Sequence, residues 1–378
     1  MEAPPVSRPT NTSIAMLTLL LTALVLAFTL TVFLIPQVIE VANARALYDL
    51  PDERKKHARP IPALGGLGVF LSFMLTVIAL ARLEWWGDFR FVALGAVLLV
   101  FVGLKDDLLG VSPVKRLLLQ LGLAALFYGA GLRLEGLYGL FGVEALPAFL
   151  NFPLTVLAIG LIVNAYNLID GINGLAGSLG TLGSLVFGSL FYIHGLQAWS
   201  FLAFAFAGAM LGFLKYNYGR GASTFMGDNG SLLLGWLMAL FFVKFTDTAY
   251  RDWAQPHALV LGLSVIAIPV FDLLRLFLVR LLKRVSPFSA DRNHIHHLVL
   301  RTGRNHPEAC LRILLINGVL MLTAATWAAG KPVWLGLVVL FLLFIAGLFA
   351  ISLSQSISMI KKVEWERHRI GPEMNLQE

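Results

Sequence analysis

Residues Leu154–Gly174 read LTVLAIGLIVNAYNLIDGING. The first ten are apolar apart from Thr155; the last eleven hold Asn164, Asn167, Asp170 and Asn173 with two glycines. An apolar run that passes directly into amides and a carboxylate reads as a membrane helix reaching a polar edge. Asn164 and Asn167 are three apart and share a helix face. Asp170 follows three later, and Gly171 ends or bends the helix, so residues 164–183 form one broken helix or two. Such polar groups at the end of a span are costly unless paired. They form either a network between helices or a donor–acceptor strip for a polar substrate, with Asp170 near a cation.

Outward from this stretch the chain repeats the pattern. Apolar runs, each near the roughly 20 residues that span a bilayer, fall at 14–36, 62–82, 89–104, 115–132, 150–168, 172–194, 199–215, 230–246, 257–282, 311–329 and 333–355. Of the 378 residues 58% are hydrophobic and only 13% charged, against about 25% charged in a soluble domain. Spans in lipid are helices or closed barrels, and these runs are too long and unbroken for barrel strands of about 10 alternating residues. The expected fold is all-α: a polytopic transmembrane bundle of ten or eleven helices. Residues 14–355 read as one transmembrane catalytic domain, between an N-terminal tail (1–13) and a C-terminal tail (356–378).

Threading the runs up and down puts every motif with chemistry on one face. With nearby helix ends, that face carries 22 of the 29 Lys and Arg, so it is expected to be cytoplasmic, the N-terminus outside and the C-terminus inside. Ile14–Ile35 is longer than a signal-peptide core, and Arg8 is its only flanking cation. The net charge of +7 does not suggest nucleic acid; the positives suit anionic lipid and phosphate. Cys310 is the single cysteine, which excludes an intramolecular disulfide framework and a zinc–thiolate site.

Four further motifs share the face. Asp106-Asp107 closes the third run; adjacent helical residues point about 100° apart, so the two carboxylates have different roles. They are either solvated and neutralised by Lys105 and Lys115, or suited to Mg²⁺ and a phosphate nucleophile. Asp228, in Gly227-Asp228-Asn229-Gly230-Ser231, is either the N-cap of the next helix or a metal–phosphate carboxylate at a helix N-terminus. His294, His296 and His297 follow Arg292. Zinc, a solvated loop and a clamp for phosphate and sugar are the alternatives, and the clamp is preferred. Arg54-Lys55-Lys56-His57 is a juxtamembrane basic cluster, where a lipid phosphate would lie or which merely sets topology. Asp272 and Arg275 are buried paired charges inside the ninth run and read as structural. Gly171, Gly174, Gly177, Gly180 and Gly183 recur every third residue, a stripe for close helix packing or, at its start, for backbone contact with phosphate.

Together these residues resemble the polyprenyl-phosphate N-acetylhexosamine-1-phosphate transferases, a glycosyltransferase family 4-like group that starts bacterial cell-envelope glycans. The matching stretches are Arg54-Lys55-x-His57 with Pro62 and Gly65-Gly66, Asp106-Asp107, Asn164-x-x-Asn167-x-x-Asp170-Gly171, Gly227-Asp228-x-Gly230-Ser231 and Asp291-Arg292-x-His294-Ile295-His296-His297, in the expected order. The His-rich form is similar to the branch that uses UDP-GlcNAc or a similar UDP-N-acetylhexosamine. The resemblance implies transfer of N-acetylhexosamine-1-phosphate from a UDP-sugar to undecaprenyl phosphate with release of UMP, as the first membrane step of a lipopolysaccharide O-antigen, teichoic acid or similar glycan. It implies the bacterial inner membrane and Mg²⁺, with Mn²⁺ as a substitute. Asp228 would be the direct metal ligand, with Asp170 near the metal. Asp106 and Asp107 would assist the lipid phosphate or metal. Asn164, Asn167, Asp170 and Asn173 would line the nucleotide site, and Arg292 with the histidines would hold the sugar diphosphate. Many members carry Asp where this chain has Asn173, which counts against a metal role there. Membrane lipids and a homodimer are compatible partners. The competing functions are a sugar-nucleotide or anion transporter, whose site would lie near the bilayer midplane, and a phospho-N-acetylmuramoyl-pentapeptide transferase.

Overall fold

The computed structural model describes residues 11–47, 61–219, 221–253, 255–286, 293–327 and 331–370, with backbone alone for 11, 12 and 354–370. Its helices are α1 (Asn11–Ala44), α2 (Gly65–Leu80), α3 (Trp86–Leu109), α4 (Pro113–Gly129), α5 (Ala148–Ile169), α6 (Leu175–Ile193), α7 (Gln197–Asn217), α8 (Gly227–Arg251), α9 (Ala258–Val265), α10 (Ala267–Leu282), α11 (Ile295–Arg301), α12 (His306–Ala325) and α13 (Val333–Ile370). Among the described residues eight helices are long and apolar enough to cross a membrane, nine if α9 and α10 count as one span. The runs at 62–82 and 115–132 form the shorter helices α2, with 16 residues, and α4, with 17. This is a multi-pass membrane protein.

The core is built around α8. Every residue from Asn229 to Val243 is buried, because this helix is apolar on all sides and α2, α3, α5 and α6 surround it. Trp236 of α8 meets the edge of Phe127 of α4 at 4.8 Å. The glycine stripe packs: a Cβ at Gly177 would strike Leu214, at Gly180 Leu234 and at Gly183 Met238. The stripe therefore winds from α7 onto α8, as a three-residue spacing on a 3.6-residue helix must. Antiparallel threading is visible in two hydrogen bonds. Tyr192, near the end of α6, donates to the Ser13 carbonyl at 3.3 Å, and Tyr216, near the end of α7, donates to the Val32 carbonyl at 2.8 Å.

The all-α expectation holds, and three local details are added. One short hairpin accompanies the helices. Strands β1 (Gly136–Leu140) and β2 (Val143–Ala145) pair antiparallel, Gly136 opposite Ala145 and Leu140 opposite Val143. Phe141 and Gly142 between them both have positive φ, 55° and 77°, as a two-residue hairpin turn requires. The ninth run is not continuous, since α9 and α10 meet at 85°. Pro269 has no N–H for the Val265 carbonyl and its ring opposes a helical register there; Asn317 of α12 supplies a donor to that carbonyl at 3.4 Å. Residues 164–183 are two helices, separated by the turn Asp170–Gly174.

Candidate active site

The ends of α3, α5 and α7 and the starts of α2, α4, α6 and α8 meet at one end of the bundle, and the polar motifs sit where they meet. The start of α8 is the pivot. Gly227 has φ of 72°, and Gly65 and Gly66 donate to the Phe225 and Met226 carbonyls at 2.9 and 3.0 Å. The first N–H groups of a helix need acceptors. Here they find a carboxylate from another helix: Asp107 accepts from the backbone of Asp228 at 2.8 Å, from that of Asn229 at 3.1 Å and from the Asn229 amide at 2.6 Å. Asp228 is therefore not the N-cap. It lies in the first turn of α8, and Met226 holds the cap position. The close approach is possible because Gly66 and Gly103 carry no side chain: a Cβ on Gly66 would enter the backbone of Gly230, and one on Gly103 the backbone of Asp228 and Asn229.

Asp106 faces elsewhere, as a helical neighbour must. It accepts from the Val111 backbone at 2.6 Å and from Arg116 of α4 at 2.5 Å. The same Arg116 nitrogen is 3.3 Å from Asp228, so one guanidinium joins the carboxylates of α3 and α8. The Asn167 amide donates to Asp228 and, at 2.8 Å, to Ser231. Asp170 is partly buried in the turn after α5, and its carboxyl is pushed up to about 7, first by burial and then by the charges of Asp228 and Asp107. Asp106, Asp107, Asn167, Asp170 and Asp228 thus form one constellation with Arg116. Sequence reasoning counted Arg116 for topology alone; its place one turn into α4, behind Pro113, was the signal it had for a residue facing the polar edge.

The other expected residues lie around this centre. Asn164 sits one turn deeper, donating to Gln120 at 2.6 Å and to the Gly160 carbonyl at 2.7 Å. Asn173 is committed to the turn before α6: its amide donates to the Gly219 carbonyl at 2.9 Å and its backbone N–H to His306 at 3.3 Å. A carboxylate could not donate to Gly219, which gives this chain a physical reason for Asn. His294 and His296 are buried and their rings stack at 5.6 Å, while His297 tilts against His296 at 4.3 Å. His296 lies against Gly171, where a Cβ would overlap its ring. Burial, followed by the nearby His297 and His294, pushes the His296 imidazole down to about 3, so it is neutral at ordinary pH. Among the described residues no three His, Cys, Asp or Glu side chains are placed to hold one metal ion; the zinc alternative finds no ligand set there. Arg54, Lys55, His57 and Arg292 lie outside the described residues.

This arrangement lies largely in a segment with a known pattern: residues 89–246 match the description glycosyl transferase family 4. The chain is 30% identical over 315 residues to the undecaprenyl-phosphate alpha-N-acetylglucosaminyl 1-phosphate transferase of Escherichia coli O157:H7, covering 81% of this chain and 84% of that protein. The chain belongs to glycosyl transferase family 4. The Salmonella typhi protein of the same description is 31% identical over 337 residues, 86% of this chain and 89% of its own length. The probable undecaprenyl-phosphate N-acetylglucosaminyl 1-phosphate transferase of Bacillus subtilis strain 168 is 30% identical over 320 residues, 84% and 87% of the two chains. The family 4 segment contains the ends of α3 and α5 and the start of α8, so the carboxylates joined by Arg116 and Asn167 all fall within it.

Proposed function

We propose that this protein transfers GlcNAc-1-phosphate from UDP-GlcNAc to undecaprenyl phosphate and releases UMP, as the first membrane step of a cell-envelope glycan. The observation that carries this reading is the carboxylate–guanidinium–amide constellation at one edge of a membrane bundle in a family 4 chain. Its site lies at the cytoplasmic face of a bacterial inner membrane, with the N-terminus outside and the C-terminus inside. The clustering of Lys and Arg at the motif end supports that orientation.

In the reaction a phosphate oxygen of the lipid attacks the β-phosphorus that bears the sugar. The bond from that phosphorus to the bridging oxygen breaks, and UMP leaves with the electron pair. Both partners are anions, so positioning and charge compensation dominate. Arg116 is the cation held between Asp106 and Asp228, ready to face phosphate oxygens. Asn167 orients Asp228. Asp107 fixes the start of α8, whose N–H end favours anions. Arg54, Lys55 and His57 would meet the lipid phosphate, Asn164 and Asp170 the nucleotide side, and Arg292 with the histidines the sugar diphosphate. The donor set suits Mg²⁺: hard carboxylate oxygens, burial and then neighbouring negative charge that raise Asp170, and, among the described residues, no more than two such carboxylates within reach of one ion, which is how Mg²⁺ is commonly held alongside phosphates and water. Asp228, with Asp170, would hold it, and it would neutralise the diphosphate.

The test is UMP release by purified protein given undecaprenyl phosphate, MgCl2 and UDP-GlcNAc or UDP-GalNAc, beside Asp228→Ala. Release that needs lipid, metal and Asp228 supports the reading; folded protein that releases no UMP refutes it.

A further inference from the structure

Asp272 of α10 is 1% exposed and outside the carboxylate constellation. One of its oxygens accepts from Arg275 at 2.8 Å and from the Ile295 backbone at 3.1 Å; the other is 2.9 Å from His294 Nδ1. Arg275 donates in turn to the Asn293 carbonyl at 2.6 Å. One buried ion pair therefore holds three consecutive residues, 293 to 295, at the entrance to α11. An ionised carboxylate only accepts hydrogen bonds, so His294 Nδ1 carries the proton. In the neutral ring Nε2 is then the atom with a free lone pair.

We infer that Asp272 is a positioning residue: it sets the tautomer and ring orientation of His294, and through the stacked His296 it seats the histidine segment against the Asp170–Gly171 turn. The chain of contacts is continuous, from Asp272 to His294, from His294 to His296 and from His296 to Gly171. Holding α10 to this loop does not in itself require a charge. Burying an ion pair in a membrane bundle costs free energy that neutral packing would avoid. What a carboxylate adds is control of which imidazole nitrogen is protonated, the function carboxylates serve behind orienting histidines elsewhere. The inference rests on the proposed transferase reading for its assay.

The experiment is a double-mutant cycle in full-length protein, read as kcat/KM for UMP release with undecaprenyl phosphate, UDP-GlcNAc and MgCl2, with the melting midpoint measured for each variant. Asp272→Asn and His294→Gln are each expected to lose about 30-fold or more. Asp272→Asn in the His294→Gln background is expected to add less than about threefold. Asp272→Glu is expected to restore part of the loss. Equal fold-losses in both backgrounds would overturn the inference. His294→Asn keeps a donor for Asp272 but lacks Nε2, so it decides the matter even where Asp272→Asn does not fold. It is expected to fold and to lose about 30-fold or more, and near-wild-type turnover would overturn the inference. A folded but silent wild type would overturn the transferase reading and this inference with it, whereas multiplicative losses overturn only the inference.

Discussion

Replacing Gly103 by alanine tests the claim that the distance between α3 and α8 sets the position of Asp228. An added Cβ would lie 2.5 Å from the Cα and N of Asn229 and 2.7 Å from the carbonyl carbon of Asp228, where ordinary contacts begin at 3.4 Å. The obstacle is backbone on the far side, so no rotamer change relieves it; the two helices must part by about 1 Å. That movement is delivered to Asp228, which precedes Asn229, and to Asp107, four residues along α3. A misplacement of about 1 Å costs reaction rate about 100-fold, or about 2.7 kcal/mol of transition-state stabilisation. Overpacking itself costs about 1–3 kcal/mol of stability, so the protein should remain folded with a lowered melting midpoint. The assay is kcat for UMP release in detergent beside Gly122→Ala, since a Cβ at Gly122 meets nothing within 4 Å. Gly122→Ala should keep kcat within about twofold. A folded Gly103→Ala protein with kcat within about threefold of wild type would refute the reasoning.

Arg116→Ala should lower kcat/KM for UMP release about 100- to 1,000-fold by leaving Asp106 and Asp228 without their shared cation. Arg116→Lys should recover only part of this, because a compact, strongly hydrated ammonium on a shorter side chain must replace the guanidinium nitrogen that lies between the two carboxylates. The raised Asp170 carboxyl gives a pH signature in metal-free buffer. Its folded value, about 7, lies above its ordinary value, so the folded state binds the proton more tightly, and this group's contribution falls as pH rises from about 4 to about 7. Asp170→Asn should therefore raise the melting midpoint at pH 8 and leave it little changed at pH 4; a lower midpoint at pH 8 would contradict the burial and charge argument.

Much of this was legible in the residues because it is local. The Asn164, Asn167 and Asp170 spacing marks a polar end to an apolar helix, and all three lie at or near that end of α5. The expectation that Asp106 and Asp107 differ followed from helical geometry, and one faces Arg116 while the other faces the start of α8. The β1–β2 hairpin was missed because Gly136–Ala145 has weak alternation and an unusual Phe–Gly turn. The bend between α9 and α10 was missed because apolarity carries across Ile266 without a break, although Pro269 was its trace. Asn173 was grouped with the substrate ligands by the family resemblance, and its amide donates to the Gly219 carbonyl.

Lipid leaves a backbone no partner but itself, so long apolar runs had to become helices, and the order of runs put their polar ends together. That much the amino-acid sequence by itself determined, with the chemical types available at the edge. Which carboxylate caps α8, which cation joins Asp106 to Asp228 and which histidine nitrogen keeps its proton were decided only by the tertiary structure. Those choices depend on contacts between residues 121 and 122 positions apart, those of Asp107 with Asp228 and Asn229. Such contacts form because glycines at the crossings let backbones approach closely.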